Sequence, residues 1–149
     1  MAAYDVEDIK GNLLLDSTTL NTGGTATVDS TNSIDCTGKA WAKIFIDIGS
    51  IAGGGSLSAL ALLASSTSGG TYSLVSGGDL ATSNTLSKAN IENKQLCINV
   101  RLTGKNPFLK VRATTAAAVN SVITQIYAIS GGSQTVPPAS TGFTYTVNV

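Results

Sequence analysis

The sequence of 149 residues contains no histidine, and only 12% of its residues are charged. Without histidine there is no Ser-His-Asp or Cys-His arrangement, and the commonest general acid–base group is missing. Nine basic and nine acidic side chains cancel. This balance argues against a nucleic-acid partner, because phosphate binding needs clustered lysines and arginines. We therefore predict neither an enzyme nor a nucleic-acid-binding protein.

Metal ligands are also scarce. The two cysteines, Cys36 and Cys97, do not have CxxC spacing, and zinc needs about four nitrogen or sulfur ligands. Asp29 and Asp35 flank a turn, but the spacing of a calcium-binding EF-hand loop is absent. We expect no metal ion and no cofactor. In a reducing compartment the default is two free thiols, with a disulfide as the alternative.

No segment approaches the roughly 18 consecutive apolar residues of a membrane-spanning helix. The longest candidate, residues 57–64, is interrupted by Ser58. The first ten residues, MAAYDVEDIK, contain three acids and no apolar core, so we expect neither a secretory signal nor a transit peptide. The sequence predicts no membrane partner.

Small residues dominate the chain, with 17 serines, 19 threonines, 17 alanines and 16 glycines making up nearly half of it. A surface of hydroxyl groups is typical of all-β proteins and of proteins that pack against neighbours. A chain of this length buries roughly 68–70% of its unfolded surface, which is enough for one domain. We predict an all-β protein, a single antiparallel β-sandwich or jelly-roll-like domain with extended arms. The expected boundaries are an N-terminal arm at 1–23, the sandwich at 24–131 and a C-terminal arm at 132–149.

Apolar and polar residues alternate with a period of two in several segments, which predicts strands. The strongest of these strands are expected at 41–51, 56–66, 95–102, 108–113 and 119–130. In the first, Ile44, Ile46 and Ile48 share one face, and Phe45 and Asp47 share the other. The second strand is apolar on both faces, which predicts cover on both sides. Its alanine and leucine content leaves a helix as the alternative.

Turn residues between these strands predict two hairpins. Gly53-Gly54-Gly55 is expected to join the first two strands. Residues 103–107 are expected to join strand 95–102 to strand 108–113. In strand 95–102 we expect Cys97 and Asn99 to face outward, so that the strand is half exposed.

The second hairpin would place three cations on neighbouring outward positions, namely Arg101, Lys110 and Arg112. Residues 1–92 hold all nine acids and four lysines, whereas 93–149 hold five cations and no acid. Two interpretations follow from this gradient. The two halves are solvated faces of one domain, or an acidic segment of one copy meets a basic segment of another.

After residue 132 the composition changes to a linker that contains Pro137 and Pro138. Proline fixes φ and donates no hydrogen bond, which favours an extended chain. Apolar residues then alternate with polar ones, at Phe143, Tyr145 and Val147. A strand at this position needs a partner sheet, which lies either in the same subunit or in a neighbour by strand addition.

The order of these segments resembles that of a known group of proteins. The run KIFIDIGSIAGGGSLSALALLASSTSGGTYSLVSGG, followed by QLCINVRLTGKNPFLKVRATT and VITQIYAIS, is similar to small virion proteins of tailed bacteriophages, encoded near the major capsid gene. Residues 66–75 match a serine/glycine loop of the form S-x-S-x-G-x-Y-x-x-V with an extra glycine. Residues 97–101 match a strand of the Tyr/Cys-x-x-Val-Arg kind. The resemblance covers about residues 41–130; the usual loop aspartate is absent, and the long Pro-Pro tail is additional.

The resemblance implies a capsid decoration, or cement, protein. Such a β-sandwich sits on the outside of the phage head and ties neighbouring capsomers together. The implied location is the virion surface, after synthesis in the host cytoplasm without a signal peptide. The implied partners are the major capsid protein and further copies of the chain, as a trimer or dimer.

Six residues are the candidates for binding these partners. We expect Phe143, Tyr145 and Val147 to form a clamping arm, and Arg101, Lys110 and Arg112 to form a cationic outer face. The alternative function is a carbohydrate-binding or host-adhesion module of a head fibre or tail. That function would need an exposed aromatic groove around Tyr72, and aromatic residues make up only 5% of the chain.

Overall fold

The computed structural model describes residues 10–15, 18–21, 26–52, 56–83, 85–115, 120–132 and 146–148. Within these ranges the chain forms short and long β-strands and two single-turn helices. In chain order the elements are β1 (Lys10–Leu15), β2 (Thr18–Asn21), β3 (Thr27–Asp29), β4 (Ile34–Asp35), β5 (Trp41–Ala52), β6 (Leu57–Ser65), β7 (Ser73–Asp79), α1 (Leu80–Ser83), α2 (Lys88–Ile91), β8 (Gln95–Arg101), β9 (Phe108–Thr115), β10 (Asn120–Gly131) and β11 (Thr146–Asn148).

The strands form two sheets. A six-stranded sheet has the order β1-β10-β5-β8-β11, with β2 also paired to β10. A five-stranded sheet has the order β3-β9-β6-β7, with β4 also paired to β9. One cluster of buried side chains draws on both sheets. The predicted all-β sandwich is confirmed.

The predicted alternation of faces is confirmed in β5. Ile44, Ile46 and Ile48 are at most 3% exposed, whereas Phe45 and Asp47 are only partly buried. Removing each isoleucine side chain from water contributes about 1.5–3 kcal/mol to folding. The period-two pattern of this strand therefore predicts which of its faces packs against the opposite sheet.

The segment 56–66 is a strand rather than a helix, as predicted. Leu62 faces the core, and its neighbour Leu63, which faces the other side, is also only 1% exposed. Leu63 lies opposite Lys110 of β9, whose long aliphatic stem is suited to covering apolar surface. The expectation of a strand covered on both faces is confirmed from Leu60 to Ser65, whereas Ser58 near the start of the strand is exposed.

Both predicted hairpins are wrong. Strand β5 lies in the six-stranded sheet between β10 and β8, whereas β6 lies in the five-stranded sheet between β9 and β7. The same division separates β8 from β9. Glycine-rich connections permit a chain reversal, but they do not specify which sheet receives the next strand. Here each connection crosses from one sheet to the other, so that consecutive strands face each other across the core.

The two terminal segments contribute strands to the six-stranded sheet. In the segment predicted as an N-terminal arm, β1 pairs with β10 from Lys10 opposite Ser130 onward, and Leu14 is fully buried. Strand β2 continues along the same edge of β10. At the other end of the chain, β11 occupies the opposite edge of this sheet. The domain boundaries given above remain a prediction.

Candidate partner-binding surfaces

The C-terminal strand β11 binds the edge of β8 in the same chain. The pairing is parallel, with Thr146 opposite Cys97, Val147 opposite Ile98 and Asn148 opposite Asn99. The sequence left two alternatives for the partner of this strand, a sheet of the same subunit or a sheet of a neighbour. In the structure the partner is in the same subunit. Phe143 and Tyr145 lie outside the described residues, and only the backbone of Val147 is described.

Strand β8 is more deeply buried than predicted. Cys97 and Asn99, on the face directed away from the core, are 0% and 3% exposed, so the expectation of a half-exposed strand is wrong for them. The Cys97 thiol contacts the Asn99 side-chain oxygen at 3.6 Å. Both cysteines are buried and neither is part of a disulfide, which agrees with the default expectation of two thiols.

The three candidate cations do not form one surface. Arg101 ends β8 in the six-stranded sheet and lies opposite Trp41, whereas Lys110 and Arg112 lie on β9 in the five-stranded sheet. The predicted grouping of all three is therefore wrong, because it depended on the second hairpin. Only Lys110 and Arg112 share a strand and a face.

Arg112 is bound to an acid within the chain. Its guanidinium donates from Nε to Asp29 Oδ1 at 2.6 Å and from Nη2 to Asp29 Oδ2 at 2.8 Å. The hydrogen bonds from Arg112 lower the pKa of Asp29 below its ordinary value of 3.8, and Asp29 in turn raises the pKa of Arg112. Two-point contact of this kind has a defined geometry and links edge strand β3 to β9.

Lys110 has a different environment. Its Nζ lies 3.4 Å from the carbonyl oxygen of Thr31 and 5.0 Å from the centre of the Tyr72 ring. The Tyr72 hydroxyl donates to the carbonyl oxygen of Ser68 at 3.0 Å. A cation above an aromatic ring is attracted by its π electrons. The ring face beneath Lys110 is therefore occupied, which weighs against a sugar stacking on that face.

Lys110 also lines a polar cleft of about 390 Å³, which we call the Lys110 cleft. Its walls come from β1, β9, the connection between β3 and β4, and the serine/glycine loop. They consist of Asn12, Leu13, Thr31, Asn32, Ser33, Ser68 and Lys110. Asn32 holds two walls together, since its backbone N–H donates to Leu14 O at 3.0 Å and its side chain donates to Leu13 O at 3.3 Å. One cation among hydroxyl and amide groups suits an acceptor such as a carboxylate.

The outer face of the six-stranded sheet carries an aromatic pair that the sequence reasoning missed. Phe45 and Tyr127 are opposite each other on β5 and β10, and their rings stack with centres 4.7 Å apart. Leu13 of β1 continues this row beyond Tyr127 and is 43% exposed. Beside the row, Gln95 Nε2 donates to Asp47 Oδ1. An apolar row with polar neighbours has the composition of a protein contact surface.

Among the described residues, no three histidine, cysteine, aspartate or glutamate side chains come together in a group that could hold a metal ion. Neither described helix is long and apolar enough to cross a membrane.

No protein-family model matches the sequence, and no curated protein matches it. A search of solved structures finds similarity to a chain in the structure of infectious bursal disease virus, Gx strain. The similarity has a TM-score of 0.42 at 13% sequence identity and covers 87% of this chain. This chain spans about a third of the other, 34%.

Proposed function

We propose that this protein is a structural component of a virion, specifically a decoration or cement protein on the outer surface of a phage head. In this role it binds the major capsid protein and ties neighbouring capsomers together. The observation that carries the proposal is the binding of β11 to the edge of β8. A terminal strand that attaches to a sheet edge by main-chain pairing is a means of joining one protein chain to another.

The rest of the molecule is compatible with this role. The segments that carry the resemblance to phage virion proteins form the framework of the sandwich, from β5 through β10. A framework with few charges and many hydroxyl groups is suited to lasting contact with a protein surface. The row of Leu13, Tyr127 and Phe45 offers an apolar centre for such contact. Interface centres are enriched in aromatic residues and depleted of charges.

The charged groups support a more specific form of the proposal. Lys110 and Arg101 are the cations for acids on the capsid or on a neighbouring copy, on opposite sheets of the sandwich. Arg112 already pairs with Asp29, so its contribution to a partner is smaller. The Lys110 cleft, with its hydroxyl and amide groups, is where an acidic side chain of a partner fits best.

The experiment that tests this function is co-sedimentation of the purified chain with capsids of the source phage that lack it. We expect saturable binding at a fixed number of copies per capsomer. The copy number then reports whether the protein is bound as trimers, dimers or monomers. No binding at micromolar protein would contradict the proposal.

The same preparation distinguishes the alternative function. A carbohydrate-binding or host-adhesion module would leave the capsids free and bind immobilised glycans instead. Glycan binding that is lost in Tyr72→Ala but retained in Phe45→Ala would identify the Tyr72 region as the sugar site. Absence of glycan binding together with saturable capsid binding is the expected result.

A further inference from the structure

The site that β11 occupies lies where the edges of the two sheets meet. On one side β11 pairs with β8 of the six-stranded sheet. On the other side, Cα atoms of β11 lie within 8 Å of those of β7 in the five-stranded sheet. The pairing with β8 covers three positions and is parallel. Parallel pairing is slightly less stable per residue than antiparallel pairing, so this contact is a short and weak one.

The chain that precedes β11 is longer than the straight distance between the strands that it joins. Strands β10 and β11 are three strand positions apart in the sheet, a lateral distance of about 14 Å at roughly 4.8 Å per strand. Gly131 lies opposite Trp41 of β5, which in turn lies opposite Arg101 of β8. Arg101 is four residues along β8 from Cys97, the residue that Thr146 faces. This adds about 13 Å along the strands at about 3.3 Å per residue. The direct distance is therefore about 20 Å.

Residues 132–145 connect these two points. Because β10 and β11 run parallel, a connection between them takes a dozen or more residues. Fourteen residues can span about 46 Å when extended, roughly twice the direct distance. The sequence of this connection includes Pro137 and Pro138, which predict a spacer rather than a further sheet strand. A chain of this length can place the same terminal strand on the β8 edge of an adjacent molecule.

We propose that copies of this protein exchange β11, so that the β8 edge of each copy holds the C-terminal strand of a neighbour in the assembled form. The contacts are the same as those within one chain, because the exchanged strand has the same sequence. Exchange costs only the loss of effective concentration that the tether provides. Copies held side by side on a lattice offset that cost, and strand exchange is a low-cost route to oligomers. This inference rests on the proposed function and names a second copy as the partner of β11.

The register of the pair provides a direct probe. Thr146 lies opposite the native Cys97, and neighbouring strands place paired Cα atoms within the 4.4–6.8 Å that a disulfide requires. A full-length chain with Thr146→Cys and Cys97→Ser has the new thiol but lacks the old one. The serine retains a donor for the Asn99 side-chain oxygen that Cys97 contacts. Wild-type chain has Cys97 and no thiol at 146.

The experiment mixes these two full-length chains, in solution and on capsids, under mild oxidation. A disulfide between positions 146 and 97 can then form only between different molecules. We expect a covalent dimer at twice the 15.1 kDa monomer mass on a non-reducing gel, which reduction abolishes. The matched control is Asn148→Cys with Cys97→Ser, because position 148 lies opposite Asn99 and has no thiol partner there.

A third chain, Thr146→Cys alone, measures pairing within the subunit. Strand exchange is wrong if the Thr146→Cys chain closes an internal disulfide while the mixture yields no more dimer than the control. The capsid role is then still decided by co-sedimentation. If neither sample forms a disulfide, the register of β11 on β8 is wrong, and the inference fails with it. Dimer formation without capsid binding would support exchange and contradict the proposed function.

Discussion

Arg112 donates two hydrogen bonds to Asp29, although the two residues lie 83 positions apart in the chain. Asp29 belongs to the acidic half of the sequence and Arg112 to the basic half. This pair therefore joins the two halves inside one molecule. It fastens the edge strand β3 to β9, where Asp29 and Arg112 are also opposite each other in the register. Part of the charge gradient along the chain thus stabilises the pairing of two strands within one molecule.

Replacing Asp29 with asparagine should lower the free energy of unfolding by less than about 1 kcal/mol at pH 7, because both side chains are about 40% exposed and water screens the pair. The pKa of Asp29 is depressed in the folded state. Its contribution is therefore complete above the ordinary value of 3.8 and is lost as the pH falls through the depressed pKa. Urea unfolding at pH 7 and at lower pH measures this. A difference between wild type and variant that grows on acidification would contradict the assignment.

Gly131→Ala should destabilise the sandwich by about 1–3 kcal/mol, the usual cost of overpacking. A Cβ at this position would lie 2.5 Å from Cζ2 and 2.8 Å from Cε2 of Trp41. Trp41 is 6% exposed and is the only tryptophan in the sequence, so its fluorescence should shift together with the unfolding midpoint. The control is Gly11→Ala, where the nearest atom, Ile129 Cγ2, is at 3.9 Å. Equal effects of the two variants would remove the steric explanation.

Serine at Arg101, Lys110 or Arg112, introduced one at a time, should weaken capsid binding most at low salt, because salt screens exposed charges. We expect the smallest loss of affinity for Arg112→Ser, since its charge is already balanced by Asp29. Arg112→Ser should also lower the unfolding midpoint, because it breaks the pair with Asp29. Co-sedimentation at several salt concentrations measures the affinities. A loss that does not change with salt would indicate packing rather than charge.

Deleting residues 133–149 should weaken assembly and capsid binding while leaving the sandwich folded. The deletion removes β11, which pairs with β8 over three positions and lies beside β7. It leaves the pairings among β1, β10, β5 and β8 in place. Circular dichroism and thermal unfolding test the fold, and sedimentation velocity tests the oligomer. Capsid binding equal to that of the full chain would overturn the role of the arm.

Much of the secondary structure was accessible from the sequence. The alternation around Ile44, Ile46 and Ile48 predicted both a strand and its buried face, because burial against a second sheet requires a period of two. The apolar run of β6 predicted a strand covered on both faces. The two single-turn helices were not predicted, since four residues carry too little periodicity to be recognised.

The candidate surface was predicted less well. Placing Arg101 beside Lys110 and Arg112 failed because it assumed that β8 and β9 are paired. The stack of Phe45 on Tyr127 was missed for the related reason that β5 pairs with β10, a strand that begins 79 residues later. Nothing local to either aromatic residue reveals this partner. The burial of Cys97 and Asn99 was likewise missed, because alternation describes the face of a strand and not what covers that face.

The sequence by itself determined the class of the protein, the positions of its long strands and the core-facing side of β5. It did so because each of these properties follows from composition and from side chains a few positions apart. Only the tertiary structure decided which strands are neighbours, that the chain changes sheets from β5 to β6 and from β8 to β9, and that β11 binds β8. Strand pairing is made by backbone groups that every residue shares, so the choice of partner is set by the packing of the whole chain.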